Sequence, residues 1–438
     1  MAEAEQAAVS ERLAVRNITA ATVGNALEFY DFITYGFFAI QIGRSFFPNS
    51  SAYVSLMLSL ATFGAGFLTR PIGGIVIGSY ADHVGRRPAM ILSFTLMGAA
   101  IIAMAVIPSY ARIGIAAPIL AVLARMVQGF SLGGEVGPTT AYLLESAPVH
   151  RRGFVVAWQA ASQAIAATLA GLVGLTLAAT LSASALSDYG WRIAFLLGAI
   201  TLPVGLWMRR GLPETLHAPE PHTVAPTARA ANVFETFLQN ARIILLGLVV
   251  LASGTIGTYV FSYLTTFAQN TLEMTATVAF AGTFAQNVIG LFAVLFGGWL
   301  SDRIGRRPVM IYPRFLFLVL LLPMFYWMVD ARSATALIVG STILSLLGSI
   351  SGGALYAALT ESLPKRIRGG AFATIYAFSI ALFGGTTQLV VTWLIHVTGN
   401  PLAPAYYWLA AATIGTAATM AIIESAPVRA ISRPVPAE

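Results

Sequence analysis

The chain contains about twelve apolar runs of roughly 20 residues or more, a pattern that limits its possible folds strongly. A helix rises about 1.5 Å per residue, so each run is long enough to cross about 30 Å of hydrocarbon. The alternation that marks membrane β-strands is absent from these runs, which predicts an all-α membrane protein. The runs are residues 18–42, 53–80, 89–107, 115–142, 154–180, 191–208, 242–268, 277–299, 309–329, 335–359, 370–396 and 405–424.

The chain has too few charged residues to cover the surface of a soluble protein. They make up 10% of the chain and apolar residues 57%, whereas a soluble domain carries about 25% charged residues. The net charge of +7 does not indicate nucleic-acid binding, because most of the 25 lysines and arginines fall in alternate loops between the apolar runs. By the positive-inside rule, those loops and both termini face the cytoplasm. The chain has no cysteine, which excludes disulfides and thiolate metal sites.

An internal repeat divides the chain. Residues 78–90 read GSYADHVGRRPAM and residues 298–310 read GWLSDRIGRRPVM, and an E-S-x-P motif follows each at 145–148 and 361–364. Two matched motifs half a chain apart predict two homologous six-helix bundles. Residues 1–17 have three glutamates and no apolar core, so we expect a tail there and not a signal peptide. The predicted organisation is a cytoplasmic tail at 1–17, bundles at 18–210 and 242–424, a cytoplasmic linker at 211–241 and a tail at 425–438.

These motifs carry a resemblance to a known family. The two G-xxx-D-xx-GRR segments resemble the loop 2–3 and loop 8–9 signature of the major facilitator superfamily, and RMVQG at 125–129 resembles its fourth-helix motif. Within that superfamily, four further segments resemble the metabolite:proton symporters. They are GNALEFYDF at 24–32, RPIGG at 70–74, GGE at 133–135 and WRI at 191–193.

The resemblance implies a secondary transporter, not an enzyme, in the inner membrane of a bacterium, with no cofactor or metal and working as a monomer. Members import citrate, tricarballylate, 2-oxoglutarate, shikimate or proline and betaine with protons. WQAASQ at 158–163 and AALTE at 357–361 are most similar to the citrate and tricarballylate branch. We therefore expect proton-coupled import of a di- or tricarboxylate by alternating access. Proton symport of a zwitterionic osmolyte or a shikimate-like monocarboxylate stays open, as does a non-transporting receptor or scaffold.

Charged residues of the repeated motifs lie where helices reach the cytoplasm. Carboxylate–guanidinium bonds across helix ends would latch this side while the cavity faces outward. We expect Glu145 with Arg152, and Glu361 with Arg368, to act as equivalent pairs. The alternative is that these charges stay hydrated and only fix the topology. The predicted gate comprises Asp82, Arg86, Arg87, Glu145, Arg152, Asp302, Arg306, Arg307, Glu361 and Arg368.

Several charged residues fall inside predicted spans, where lipid exposure would cost about 2.5–3.5 kcal/mol each. They are Glu28, Asp31, Arg70, Arg125, Glu135 and Arg314. An arginine fork matches both oxygens of a carboxylate, so Arg70 and Arg125 are predicted to bind the substrate, with Arg192 at the periplasmic mouth as a further candidate.

The acids within the spans are candidates for proton coupling. Substrate on the arginines would free Asp31, Glu28 or Glu135 to take up protons. The alternative is a set of permanent ion pairs, such as Glu28 with Arg70. Arg314 lies near the cytoplasmic end of a peripheral helix, where we expect it to snorkel.

Uncharged polar residues complete the predicted site. Gln159 and Gln163 share one face of the fifth helix, and the resemblance supports both as substrate contacts. Tyr259 and Tyr356 are further candidates on the seventh and tenth helices. Amides and hydroxyls bind a carboxylate without adding charge; the alternative for these residues is packing between helices.

Overall fold

A computed structural model describes residues 2–134, 136–200, 203, 239–364 and 368–425. These residues form twelve helical rods, which we call α1 to α12, and no strand. The first six, the N-half, are α1 (Ala2–Phe37 with Ala39–Phe46), α2 (Ala52–Leu68 with Arg70–Val84), α3 (Arg86–Val106), α4 (Ala116–Ser131 with Val136–Ser146), α5 (Arg152–Thr180) and α6 (Ala183–Ala185 with Trp191–Ala199). The last six, the C-half, are α7 (Ala241–Asn270), α8 (Ala276–Ile304), α9 (Arg306–Ala331), α10 (Ala334–Gly353 with Leu355–Ser362), α11 (Arg368–Ser379 with Thr387–Thr398) and α12 (Ala403–Met420).

The helices have the dimensions of membrane spans. Among the described residues, 7 helices are long and apolar enough to cross a bilayer, and two shorter apolar helices are Ile91–Val106 and Ala116–Ser131. Helix α1 begins at Ala2, so the predicted tail at 1–17 continues into the first rod. Most of the predicted linker, residues 211–238, and the tail at 426–438 lie outside the described residues.

The glycine of the repeated motif has the same backbone role in both copies. Gly85 separates α2 from α3 with a φ of 125°, and Gly305 separates α8 from α9 with a φ of 102°. A residue with a Cβ rarely adopts such a positive φ, because the Cβ clashes with the backbone. Glycine has no Cβ and adopts it readily. The repeat is therefore a tight turn between two helices, and we call this end of the molecule the motif end.

Glycines also bring α2 and α4 into backbone contact. A Cβ atom on Gly129 would clash with the carbonyl oxygen of Gly66, and one on Gly133 with that of Arg70. Helix α2 is interrupted at Thr69, directly before Arg70 and Pro71, and α4 is interrupted by a turn at Leu132–Gly134. This close approach places Arg70 on α2 next to the helix that carries Arg125.

The two halves touch at both ends of the molecule. At the motif end, the backbone of α5 at Gly153 meets α8 at Gly298. At the opposite end, the Thr277 hydroxyl on α8 donates to the Ala178 carbonyl on α5 at 3.0 Å. The Gln41 amide on α1 also donates to Gln269 on α7 at 3.0 Å there. The structure is therefore a conformation in which both ends are held together.

Candidate functional site

Arg306 lies at the centre of an ion network at the motif end. Its guanidinium donates to Asp302 at 2.7 Å and, through two bonds of 3.1 and 2.9 Å, to both oxygens of Glu361. The Glu424 carboxylate accepts the backbone N–H groups of Arg306 and Arg307 at 2.8 and 3.0 Å, which closes the first turn of α9. Arg306 is only 1% exposed, so this network joins α8, α9 and α10 in a largely dry environment.

Asp302 also connects the two halves. Its oxygens accept the backbone N–H groups of Gly153 and Phe154 at 2.7 and 2.8 Å, in the first turn of α5. The N–H groups of a first turn have no partner within their own helix and favour an anion. Gly153 permits the approach, because a Cβ there would clash with Arg306 and lie 2.6 Å from the carbonyl oxygen of Gly298. The motif end is thus closed by a carboxylate of one half on the helix terminus of the other.

Neither predicted pair, Glu145 with Arg152 or Glu361 with Arg368, forms an ion pair among the described residues in this conformation. Glu361 binds Arg306, whose planar fork lies buried beside it and matches both of its oxygens. Arg368 instead donates to carbonyl groups at the end of α10, at 2.7 and 3.3 Å. Its other nitrogen lies 3.8 Å from Glu145 of the N-half, which is 60% exposed, so water screens this second link between the halves.

The remaining predicted gate residues have separate outcomes. Arg307 donates from its guanidinium to the Met420 carbonyl at 2.7 Å, at the end of α12. The side chains of Asp82, Arg86 and Arg87, and all of Glu135, lie outside the described part of the structure.

A second charged cluster lies inside the N-half. The Arg125 guanidinium donates to the side-chain oxygen of Gln128, and the Gln128 amide donates to Asp31. Asp31 and Arg125 are 0% exposed and Arg70 is 6% exposed. The second oxygen of Asp31, and Nε and Nη2 of both arginines, are buried without a hydrogen-bond partner among the described residues. A buried unpaired group costs about 1–3 kcal/mol, so these atoms favour any partner that can reach them.

Aromatic rings separate this cluster from the space between the halves. The guanidinium carbons of Arg70 and Arg125 lie 4.3 and 4.4 Å from the centroid of the Phe32 ring. Arg125 also lies 5.2 Å from the Phe63 ring. At these distances the rings stabilise the positive charges. Phe32 and Phe63 line the cavity described next, whereas the two arginines and Asp31 do not.

A cavity of about 280 Å³ lies between the two halves. The predicted residues Gln163, Tyr259 and Tyr356 line it, together with Tyr376. Nε2 of Gln163 and the hydroxyl of Tyr376 are buried there without a hydrogen-bond partner, and the rings of Tyr356 and Tyr376 are 6.4 Å apart. The cavity wall thus combines apolar surface with a few unpaired polar atoms, as small-molecule sites do.

Comparison with known proteins decides the family. Residues 17–218 match the family described as "Sugar (and other) transporter". A citrate-proton symporter of Klebsiella pneumoniae is 39% identical over 91% of this chain and 89% of its own length. The chain belongs to the metabolite:proton symporters of the major facilitator superfamily. Another relative, the glycine betaine/proline/ectoine/pipecolic acid transporter of Dickeya dadantii, is 31% identical over 91% of the chain and 81% of its own length.

Solved structures confirm the fold of this transporter. A D-xylose-proton symporter superposes with a TM-score of 0.74 at 19% identity, covering 95% of this chain and 98% of the other. The E. coli xylose transporter in a partially occluded inward-open conformation gives a TM-score of 0.73 at 19% identity, covering 93% and 97%. The predicted all-α architecture of two six-helix bundles is confirmed, and the protein is a transporter, not an enzyme.

Three other predicted site residues do not line the transporter's cavity in this conformation. Arg192 donates to two carbonyl groups at the C-terminal end of α3, at 2.9 and 2.6 Å, and so caps that helix. Gln159 donates to Asn25 at 3.2 Å and joins α5 to α1. Glu28 is 3% exposed and lies on α1, one turn before Asp31.

Sequence reasoning did not assign three residues, Gln128, Phe32 and Arg314, to the site at which the structure places them. Gln128 lies one turn after Arg125, a spacing that puts both on one helix face and was a usable signal. Phe32 could not be recognised as a site residue, because the spans are rich in phenylalanine. The expectation that Arg314 snorkels is wrong: its guanidinium donates to Ser253 on α7 at 2.6 Å and lines the cavity.

Proposed function

We propose that this transporter imports an organic anion, a di- or tricarboxylate such as citrate, together with protons. The observation that carries the proposal is the buried chain from Asp31 through Gln128 to Arg125, directly behind the cavity wall. A carboxylic acid and a guanidinium joined in this way provide a proton acceptor and an anion site that affect one another. The 39% identity to a citrate-proton symporter supports the substrate class and the coupling ion.

The substrate site is proposed to include Arg70 and Arg125. Each has N–H donors without an acceptor, which a substrate carboxylate would supply. Phe32 and Phe63 lie between these donors and the cavity, so their side chains must turn aside before a substrate reaches the arginines. Gln163 on α5 then offers an amide N–H from the wall of the cavity.

Proton coupling follows from the competition for Arg125. In the structure its guanidinium is linked to the Asp31 carboxylate through Gln128. A substrate carboxylate on the arginines neutralises the charge that keeps Asp31 ionised, and burial then favours its protonated form. Substrate and proton therefore bind together and leave together. Glu28 and Glu135 are proposed as further proton acceptors.

The membrane potential sets a minimum for the number of protons. A potential of 100 mV contributes about 2.3 kcal/mol per charge moved inward. An anion of charge −n that enters with n protons moves no net charge, so at least one further proton is needed to use the potential. A di- or tricarboxylate therefore requires several protons, some of them carried on the substrate itself.

Alternating access requires that the two ends open in turn. We propose that the motif end faces the cytoplasm of a bacterial inner membrane, with both termini inside. The predicted halves, 18–210 and 242–424, then rock about the cavity within one monomer, and the linker at 211–241 joins them. The Asp302 contacts with α5 hold the cytoplasmic end closed while the other end opens. The contacts of Gln41 and Thr277 hold the periplasmic end closed while the cytoplasmic end opens.

Uptake by the purified protein in proteoliposomes tests this function. With an inward proton gradient we expect accumulation of labelled citrate or tricarballylate, which a proton uncoupler abolishes. Labelled proline and glycine betaine are the comparison substrates, because one relative carries those names. Carboxylate uptake that ignores both the gradient and the uncoupler refutes proton coupling, and uptake of betaine alone refutes the anion assignment. No flux of any probe, with ligand binding intact, indicates a receptor.

A further inference from the structure

Arg314 is the only charged side chain among the described residues that line the cavity. It belongs to α9 in the C-half, whereas Arg70 and Arg125 belong to the N-half and lie behind the aromatic wall. The cavity therefore has a positive charge of its own, on the side opposite the arginine cluster.

The guanidinium of Arg314 is fixed by neutral neighbours. Its Nη2 donates to the Ser253 hydroxyl on α7 at 2.6 Å. On α12, a Cβ added to Gly415 would come within 3.0 Å of the same nitrogen, so glycine leaves room for the guanidinium. No carboxylate of the described residues forms an ion pair with Arg314. A charge placed away from water is costly without a counter-charge, and the space next to Arg314 is the cavity.

Other polar groups of the cavity suit a carboxylate-bearing ligand. Asn287 and Ser349, from α8 and α10, line the same cavity as Arg314. Gln286 lies beside them, and its side-chain oxygen is buried without a partner, so it accepts a hydrogen bond from a ligand hydroxyl or a protonated carboxyl. This set offers one cation, hydroxyl groups and amides in a confined space, and no described anion.

We propose that Arg314 binds a second carboxylate of the substrate through both oxygens, in a subsite of the C-half. The first carboxylate is held by Arg70 and Arg125 of the N-half, so this inference rests on the proposed function. A ligand with carboxylates at both ends then touches both halves at once, whereas a monocarboxylate reaches only one. Selection for di- and tricarboxylates then follows because only they can occupy both cationic sites.

A ligand pair that differs by one carboxylate tests the proposal. Glutarate is butyrate with a second carboxylate at the far end, and each is measured as an inhibitor of citrate uptake in proteoliposomes. In Arg314→Gln we expect the wild-type preference for glutarate over butyrate to fall by about tenfold or more, because hydrogen bonds to charged groups are lost. The KM for citrate is expected to rise by a similar factor. The matched control is Arg332→Gln, an exposed arginine just past the end of the same helix, which leaves both values unchanged.

The outcomes separate this inference from the proposed function. If the wild type takes up citrate and Arg314→Gln keeps the same preference for glutarate over butyrate, the subsite is overturned and the proposed function stands. If glutarate inhibits the wild type no better than butyrate does, the subsite is likewise overturned. A wild-type protein that transports no carboxylate overturns both proposals. If Arg314→Gln does not fold, Arg314→Lys decides: lysine lacks the planar fork, so a glutarate preference equal to that of the wild type refutes bidentate binding.

Discussion

Asp302→Asn is expected to open the motif end. The carboxylate accepts two N–H groups of α5, at 2.7 and 2.8 Å, across the boundary between the halves. Asparagine keeps one acceptor oxygen, so one of the two charge-assisted bonds is lost, along with the negative charge at the helix N-terminus. A hydrogen bond to a charged group contributes about 1.5–3 kcal/mol, and we take about 2 kcal/mol for the loss. That corresponds to about a 30-fold shift toward conformations in which the motif end is open.

Spin-label distances measure this shift directly. Because the chain has no cysteine, cysteines introduced at His150 and Ile304 carry labels at two sites only. Both positions are exposed, and they lie on opposite sides of the boundary, between α4 and α5 and at the end of α8. In Asp302→Asn we expect a longer distance to become the major population. Labels at Ser184 and Asn270, exposed at the opposite end, report whether that end closes in exchange.

A matched carboxylate controls for the loss of charge alone. Asp330 is exposed near the far end of α9, so Asp330→Asn should leave the distances at the motif end unchanged. If Asp302→Asn gives the same distance distribution as this control and the wild type, the contacts of Asp302 with α5 do not stabilise closure, and the argument for a latch is refuted.

Three further predictions follow from the same contacts. Asp31→Asn should abolish citrate accumulation driven by a proton gradient while retaining citrate exchange between equal pools, measured in proteoliposomes; accumulation at the wild-type level would exclude Asp31 from coupling. Gly153→Val should force α5 away from Arg306, because even a Cβ clashes there, and the overpacking cost of about 1–3 kcal/mol should appear as a longer distance between the spin labels at the motif end. Phe32→Leu removes the ring that contacts Arg70 and Arg125, and its thermal unfolding in detergent should reflect a loss of about 2 kcal/mol, whereas an unchanged midpoint would show that the ring does not stabilise the cluster.

The helical architecture could be predicted because its signals are local. Apolar runs of spanning length mark the helices, and the duplicated GRR motif marks the two bundles. The positive φ of Gly85 and Gly305 explains why that glycine is present in both copies. Pro71 and the Gly133–Gly134 pair were visible signals of the interruptions inside α2 and α4. The backbone contact of Gly133 with Arg70 was not visible, because it is a property of two helices together.

The partners of the charged residues could be predicted only in part. Charges inside spans must meet one another or a cavity, and this argument correctly brought Asp31, Arg70 and Arg125 into one region. The argument did not predict that Asp302 would bind backbone N–H groups of α5. Such donors exist at every helix start, so no particular residue type indicates them. For Arg314, its depth along α9 was readable from the sequence, but the direction of its side chain depends on the packing of α7 and α12.

The positions of the unpaired groups and of the contacts between the halves explain how such a transporter can remain closed and still change conformation. The polar contacts described across the two ends are few: Asp302 on two N–H groups and Glu145 beside Arg368 at the motif end, and single hydrogen bonds of Gln41 and Thr277 at the other. Each is strong enough to bias a conformation and weak enough to break in a cycle. In the centre, Arg70 and Arg125 each have two buried nitrogens without a partner among the described residues. A substrate gains binding energy where it satisfies such donors, and it shifts the conformation only if it satisfies them better in one state than in another. We therefore propose that coupling lies in the central cluster, with the contacts at the two ends setting the balance on which it acts.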